Sequence, residues 1–181
     1  RFRLLFENAG DGILILEGDR LIDCNARSLE IFGCKARDQI VGRPPYQFSP
    51  ERQPNGRESI EFSIEKITNA MKGRPQSFEW VHTKVDGTPF SAEVTLNKVE
   101  FSGKVLLQAI VRDISERKMA EEALRKSEEE FRAVFEQAAV GVAIIDSNTG
   151  RYLSVNQRLC AITNRSRTQI LDTTYMDITL P

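Results

Sequence analysis

The stretch DISERKMAEEALRKSEEEFRAVFEQA, residues 113–138, is the part of the chain from which the rest can be organised. It contains no glycine or proline, and its charged residues surround an apolar seam with alternating spacings of four and three, the pattern of a two-stranded coiled coil. The seam residues are Ala120, Leu124, Ser127, Phe131, Val134 and Ala138. Asp113 and Glu116 have the spacing of a capping box, which predicts that a helix begins at Asp113 or Ser115. The pattern also fits a solvated helix that packs on its own domain, so both interpretations stay open.

The end of this stretch starts a repeat of the beginning of the chain. FRLLFENA at residues 2–9 resembles FRAVFEQA at residues 131–138, and GILILE at 12–17 resembles GVAIID at 141–146. Two shorter matches follow in the same order, NAR with NQR and QIV with QIL. A shared order of segments predicts one module followed by the beginning of a second.

Composition favours an ordinary globular protein and argues against several classes. Of 181 residues, 40% are hydrophobic and 28% are charged, with a net charge of −1. The two signs are interspersed, so no basic face predicts nucleic-acid binding, and no apolar run is long enough to span a bilayer. Cys24, Cys34 and Cys160 lie far apart and predict free thiols in a reducing compartment, with no metal site. The start without methionine indicates a fragment of a longer protein.

The first half of the first module is predicted to hold a hairpin and two helices. Residues 12–17 and 20–24 read as short strands around a Gly18-Asp19 turn, and Asn25 caps a short helix that Gly33 ends. A longer helix ends at Gly73. Its apolar face is predicted to consist of Ile60, Ile64, Ile67 and Met71.

Three strands follow this helix. Period-two alternation predicts one inward face and one outward face on each of them. The inward residues are Phe78, Trp80, His82, Phe90, Ala92, Val94, Leu107, Ala109 and Val111. Leu106 and Ile110 lie on the outward face of the last strand, where apolar side chains need cover from a flanking helix or a partner.

This order of elements resembles the PAS sensory domain of bacterial signalling proteins. The resemblance is carried by Asn25-Ala26 with Ile31-Phe32-Gly33, by Gly42, by Phe78-Glu79-Trp80 with Asp86-Gly87-Thr88-Pro89-Phe90, and above all by Asp113-Ile114-Ser115. It implies an α+β fold, with a five-stranded antiparallel sheet of strand order 2-1-5-4-3, short helices and one longer helix on one face, and a linker helix after it. The expected domains are an N-terminal flanking helix at 1–10, a PAS domain at 11–113, a linker or coiled-coil signalling helix at 114–138 and the N-terminal part of a second PAS domain at 139–181.

The resemblance also implies a small pocket between the sheet and the longer helix. The pocket candidates are the inward strand residues together with Ile60, Ile64 and Ile67. Haem is disfavoured because the longer helix has no histidine, and a cysteinyl flavin is disfavoured because the Asn-Cys-Arg-Phe motif is missing. Binding of a flavin without a covalent bond stays an alternative, because Trp80 is predicted to face inward as in some flavin redox sensors of this family. A small metabolite, or no ligand in the isolated fragment, is the default, so the cofactor is unknown. His82 is either a core residue with a hydrogen-bond partner or a ligand contact, and the first is favoured.

No catalytic or metal-binding constellation is found in the sequence, and an enzyme is not expected. The expected function is that of a cytoplasmic sensory module of a sensor histidine kinase or cyclic-dinucleotide enzyme, which transmits a change in the pocket to a downstream output domain. The signal-transmission residues are Asp113, Ile114, Ser115 and Glu116. The alternative is a ligand-free dimerisation module. In either case a homodimer is expected through Leu106, Ile110 and the six seam residues.

The second module is expected to need external cover. Its hairpin lacks the later strands and the longer helix of the first module, and a lone hairpin is marginal in water. Val142, Ile144, Val155 and Leu159 are therefore predicted to contact another chain or the first module.

Overall fold

Five antiparallel strands form the sheet of the first module. The computed structural model describes residues 2–101 and 103–179, so the outermost residues of the expected ranges 1–10 and 139–181 lie outside it. The sheet has the order β2-β1-β5-β4-β3, which confirms the expected fold. The first-module elements are α1 (Phe2–Glu7), β1 (Gly12–Glu17), β2 (Arg20–Cys24), α2 (Ala26–Phe32), α3 (Ser59–Met71), β3 (Gln76–Thr83), β4 (Pro89–Phe101) and β5 (Lys104–Asp113), with 3₁₀ turns at Arg37–Gln39 and Pro45–Phe48.

The inner face of the sheet is set by strict alternation along the strands. On β4, Phe90, Ala92, Val94 and Leu96 are buried while the residues between them are half-buried. Antiparallel pairing places Trp80 beside Ala92 and His82 beside Phe90. This face packs on α2, α3 and the second 3₁₀ turn, so the sheet and these short elements share one apolar core.

The buried face of α3 differs from the predicted one. Ile60 and Ile64 are 52% and 50% exposed, whereas Ile67 and Met71 pack against the core as predicted. The buried residues of the helix are Ser59, Ser63 and Ala70. The helix is therefore rotated from the expected orientation, so that the first two isoleucines of the predicted face are exposed while Ile67 stays at the cavity. Small side chains toward the sheet let the backbone of α3 approach it and leave space that isoleucines would fill.

The outward face of β5 is largely covered within the single chain. Leu106 is only 7% exposed, and Ile110 is half-buried. The prediction that Leu106 offers a dimer surface is therefore wrong, because a side chain already removed from water gains little from a second copy.

A 23-residue helix, α4 (Ser115–Gln137), follows β5 directly. The chain divides within this helix into two compact units, residues 1–119 and residues 120–181. Seam residues Leu124, Phe131 and Val134 are exposed, and Phe135 is the buried residue of the helix. The assignment of Ala138 to the seam is wrong, because the helix ends at Gln137.

The second unit covers one face of its own hairpin. Its elements after α4 are β6 (Ala143–Ile145), β7 (Tyr152–Val155), α5 (Gln157–Thr163), α6 (Arg167–Leu171) and α7 (Tyr175–Thr179). Val155 is fully buried and Leu159 packs beside it, in a cluster with Tyr152, Cys160 and Ile170. The predicted need for outside cover is therefore wrong for Val155 and Leu159. Ile144 remains 40% exposed, and Val142 is half-buried.

Candidate cavity and helix junction

A small cavity of about 50 Å³ lies between α3, the second 3₁₀ turn and the inner face of the sheet. A cavity of this volume has room for a molecule of a few non-hydrogen atoms, and a flavin or haem would need the walls to move apart. Seven pocket candidates line it: Ile67, Phe78, Trp80, His82, Val94, Ala109 and Val111.

The other pocket candidates lie elsewhere. Phe90, Ala92 and Leu107 are buried in the core that surrounds the cavity. Ile60 and Ile64 face away from it, so their assignment to the pocket is wrong. The lining residues that sequence reasoning missed are Leu14, Leu16, Leu21, Pro45, Ser49, Ser63, Lys66 and Leu96. The alternation of residues 12–17 could have indicated the two β1 leucines, whereas no periodic pattern in the sequence predicted that Pro45 or Ser49 would line the cavity.

Two side chains of β3 form hydrogen bonds with the second 3₁₀ turn and the residue after it, beside the cavity. The Trp80 indole N–H donates to Oγ of Ser49 at 2.9 Å. His82 Nδ1 lies 3.0 Å from the carbonyl oxygen of Phe48. Because both donors sit on the same strand, β3 and this wall of the cavity are held together at two points.

His82 is enclosed by aromatic rings. It stacks on Phe90 with centroids 5.4 Å apart and meets the Phe32 ring edge-on at 5.1 Å. Burial lowers the pKa of His82 to about 4, although the hydrogen bond with the Phe48 carbonyl acts in the opposite direction. The imidazole is therefore neutral at pH 7.

The charged residue in the cavity wall is Lys66 of α3. Its ammonium group lies 5.2 Å from the Phe62 ring centroid and 5.0 Å from that of Phe78, within the range of cation–π attraction. It also lies 3.4 Å from Oε1 of Gln76. These contacts hold the charge at aromatic ring faces, so the rest of the lining is largely apolar.

The beginning of α4 is fixed to β4 by Ser91. The Ile114 N–H donates to the Ser91 carbonyl at 2.9 Å, and the Ser91 N–H donates to Oγ of Ser115 at 3.1 Å. Oδ1 of Asp113 accepts from the Ser115 N–H at 2.9 Å, which satisfies an amide at the helix start. Within the described residues Glu116 forms no hydrogen bond back to Asp113, so the predicted capping box is only half formed.

Strand β3 also reaches α4. Lys118 forms an ion pair with Glu79, and Arg117 lies 3.8 Å from the same carboxylate. The hydrogen bond from Lys118 lowers the pKa of Glu79 below its ordinary value. A second cleft, about 170 Å³, lies at this junction and is lined by Glu79, Ser91 and Lys118 among others. Trp80 lines both this cleft and the inner cavity.

A buried asparagine joins each hairpin to the helix before it. Asn25 Nδ2 donates to the carbonyls of Phe6 and Asp11, while its Oδ1 accepts from the amides of Ile13 and Ser28. In the second unit Asn156 does the same, and its partners are Phe135, Val140, Val142 and Leu159.

A glutamate at the end of each entry helix completes this arrangement. Glu7 accepts from the Ala26 amide and pairs with Arg37, and Glu136 accepts from the Gln157 amide and pairs with Arg167. The sequence repeat is thus also a repeat of hydrogen bonds. We call each set, Asn25 with Glu7 and Asn156 with Glu136, a helix latch.

The fold, the cavity and the repeated latch define a tandem of PAS modules. The PAS domain family profile matches residues 10–116, and a second PAS profile matches residues 129–179. The chain therefore belongs to the PAS domain family, a class of sensory modules.

Particular relatives extend this assignment. The chain is 43% identical over 70 residues to sporulation kinase E of Bacillus subtilis (strain 168), a match that covers 39% of this chain and 9% of that protein. It is similar to the crystal structure of the PAS domain of an HTR-like protein from Haloarcula marismortui, with 26% identity and a TM-score of 0.54 over 63% of this chain and 89% of that one. A domain of the sensory box sensor histidine kinase/response regulator from Geobacter sulfurreducens has the same fold, with 22% identity and a TM-score of 0.51 over 62% of this chain and 90% of that one.

Neither a membrane-spanning helix nor a metal-binding cluster occurs among the described residues. Over residues 2–101 and 103–179, no helix has the length and apolar character needed to cross a membrane. Over the same residues, no cluster of three or more histidine, cysteine, aspartate or glutamate side chains could hold a metal ion.

Proposed function

We propose that this chain senses a small molecule in the cavity of its first PAS module and passes the change into α4. The sensing module would belong to a larger signalling protein, with a histidine kinase or a cyclic-dinucleotide enzyme as its output domain. The kinase relatives support this setting. The chain itself has the role of binding and transmission, and no catalytic residue is assigned to it.

The observation that carries the proposal is the double role of β3. Trp80 and His82 form part of the cavity wall, while Glu79, the neighbour of Trp80, pairs with Lys118 in the first turn of α4. Side chains alternate across a strand, so a shift of β3 that accommodates a ligand on one face moves the carboxylate on the other. Ser91 supplies a second link, because it bonds to both Ile114 and Ser115. The expected route through Asp113 on β5 thus gains two further connections, from β3 and β4.

The test fills the cavity without needing the natural ligand. Ser63 lines the cavity from α3, and Ser63→Leu places three additional carbon atoms there. We expect faster hydrogen–deuterium exchange at the amides of Ile114 and Lys118 in this variant. The matched control is Ser147→Leu, a change of the same size at an exposed turn outside α4. Unchanged exchange at both amides in a folded Ser63→Leu protein would contradict the proposed transmission.

A second candidate function, dimerisation, is favoured by the exposed apolar residues of α4. Leu124 and Val134 are 62% and 74% exposed, and Phe131 is also exposed. Apolar side chains at coiled-coil spacing on an otherwise charged helix suit pairing with a second copy of the same helix. Dimerisation and sensing are compatible, since a paired α4 could report a change in either module.

A further inference from the structure

His82 has one ring nitrogen with a partner and one without. Nδ1 lies 3.0 Å from the Phe48 carbonyl oxygen, and because a carbonyl only accepts, Nδ1 carries the proton of the neutral ring. Nε2 is then an acceptor. Among the buried side-chain nitrogen and oxygen atoms of the described residues, it is the one without a hydrogen-bond partner. Buried polar atoms nearly always have a partner, so this nitrogen calls for an explanation.

The residues around His82 do not supply the missing donor. Phe32 and Phe90 present aromatic rings to the imidazole. The Trp80 indole N–H, which also lies at the cavity, is already bonded to Ser49. Lys66 faces the rings of Phe62 and Phe78 and lies near Gln76. No side chain of the cavity wall, the hydroxyls of Ser49 and Ser63 included, forms a hydrogen bond with Nε2, so a molecule that enters the cavity can supply the donor.

We propose that the first PAS module takes a small neutral alcohol, whose hydroxyl group donates a hydrogen bond to Nε2 of His82 while its carbon chain contacts the apolar wall. This proposal rests on the proposed function, because it names the ligand class of the same cavity. A carboxylate would bring its own lone pairs to an acceptor, and an ammonium group would be buried without a counterion. A hydrocarbon would leave Nε2 unpaired. The volume of about 50 Å³ limits the alcohol to a few carbon atoms.

The test compares two isomers, 1-butanol and diethyl ether, which have the same atoms but differ in the ability to donate a hydrogen bond. His82 is the only histidine of the chain and Trp80 the only tryptophan, so ¹⁵N-histidine labelling and tryptophan fluorescence each report on this site alone. We expect a saturable change of the Nε2 resonance with 1-butanol, and binding about fivefold tighter than that of the ether, the ratio that one neutral hydrogen bond supports. In His82→Phe the preference should disappear.

The outcomes test the alcohol ligand and the transmission to α4 separately. Equal affinity for the two isomers, or a free protein in which Nε2 carries the proton, overturns the alcohol assignment and leaves a sensing cavity intact. A preference for 1-butanol with no change at the α4 amides supports the alcohol assignment and contradicts the proposed transmission. If neither isomer changes the His82 or Trp80 signal, the assignment is wrong. If His82→Phe does not fold, the Nε2 resonance of the unaltered protein, titrated with each isomer, still tests the alcohol assignment, because that measurement needs no substitution.

Discussion

The side-chain amide of Asn156 donates a hydrogen bond to the carbonyl of Phe135 at 2.9 Å, across 21 residues of sequence. Phe135 lies in the last turn of α4, where backbone carbonyls have no partner within the helix. The other end of α4 is bound by Ser91 and by Glu79 of the first module. A single helix is therefore attached by side-chain hydrogen bonds at its beginning and at its end, once in each unit.

The latch of the second unit is predicted to depend on the amide nitrogen of Asn156. Asn156→Asp keeps the oxygen that accepts from Val142 and Leu159, but loses the donor to Phe135 and Val140 and places a negative charge beside their carbonyls. Asn156 is fully buried, so we expect the second unit to lose about 2 kcal/mol or more of unfolding free energy, measured by urea denaturation.

A matched control distinguishes the loss of the latch hydrogen bonds from the general effect of replacing asparagine by aspartate. Asn148→Asp makes the same change at an exposed turn of the same unit, and it should leave stability within about 0.5 kcal/mol. Asn25→Asp should reproduce the loss in the first module. Equal effects of the substitutions at 148 and 156 would show that the latch does not stabilise the unit.

The Glu79–Lys118 pair is predicted to hold the first turn of α4 rather than to stabilise the fold. The side chains of Lys118 and Glu79 are 42% and 55% exposed, and ion pairs in contact with water contribute little to stability. We expect Glu79→Gln to speed hydrogen exchange at the amides of the first turn of α4 without changing the unfolding midpoint. The control is Glu65→Gln, which breaks the exposed pair between Glu65 of α3 and Arg57, and it should leave the α4 amides unchanged. Identical exchange in the two variants would exclude Glu79 from the link.

Strand residues were easier to predict than helix residues, for a physical reason. Because side chains alternate along a strand, only two faces are possible, and the alternation of apolar and polar residues from Phe90 to Leu96 selected the buried one. Neighbouring residues of a helix point about 100° apart, so a modest rotation changes which of them are buried. On α3 the apolar pattern predicted Ile67 correctly, but it also indicated Ile60 and Ile64, which are exposed.

The cavity was only partly predictable, because its walls come from different kinds of segment. The alternation of apolar and polar residues predicts which strand residues line the cavity, but it does not predict the lining residues of α3. The wall at Pro45 and Ser49 depends on hydrogen bonds from Trp80 and His82, and no periodic pattern encodes those. The sequence repeat aligned Asn25 with Asn156. The hydrogen bonds from these two asparagines to the preceding helix could be seen only in the structure.

The stability of the first module is predicted to fall between pH 6.5 and about 4 because of His82. Burial lowers the pKa of this imidazole in the folded protein to about 4, while the unfolded chain takes up a proton near 6.5. Stability from the neutral buried ring is complete above pH 6.5 and decreases as the pH falls toward 4, since only the unfolded state gains the proton.

At pH 5 this contribution amounts to a loss of about 2 kcal/mol relative to pH 7. Urea unfolding of the unaltered protein and of His82→Phe at both pH values isolates it, because carboxylates titrate alike in the two proteins. We expect the variant to lose less stability on acidification. A loss of equal size in both proteins would mean that His82 is not held neutral by burial.

The exposed seam of α4 is predicted to determine the oligomeric state. Leu124 lies near the middle of the helix with 62% of its surface in water, and pairing would bury it against a second copy. We expect sedimentation of the unaltered chain to show a dimer that dissociates by at least tenfold more readily in Leu124→Lys, roughly the effect of removing one buried leucine from an interface. Lys126→Glu, also exposed but outside the seam, is the control and should sediment like the unaltered chain. A monomer at every concentration in all three proteins would exclude pairing through α4.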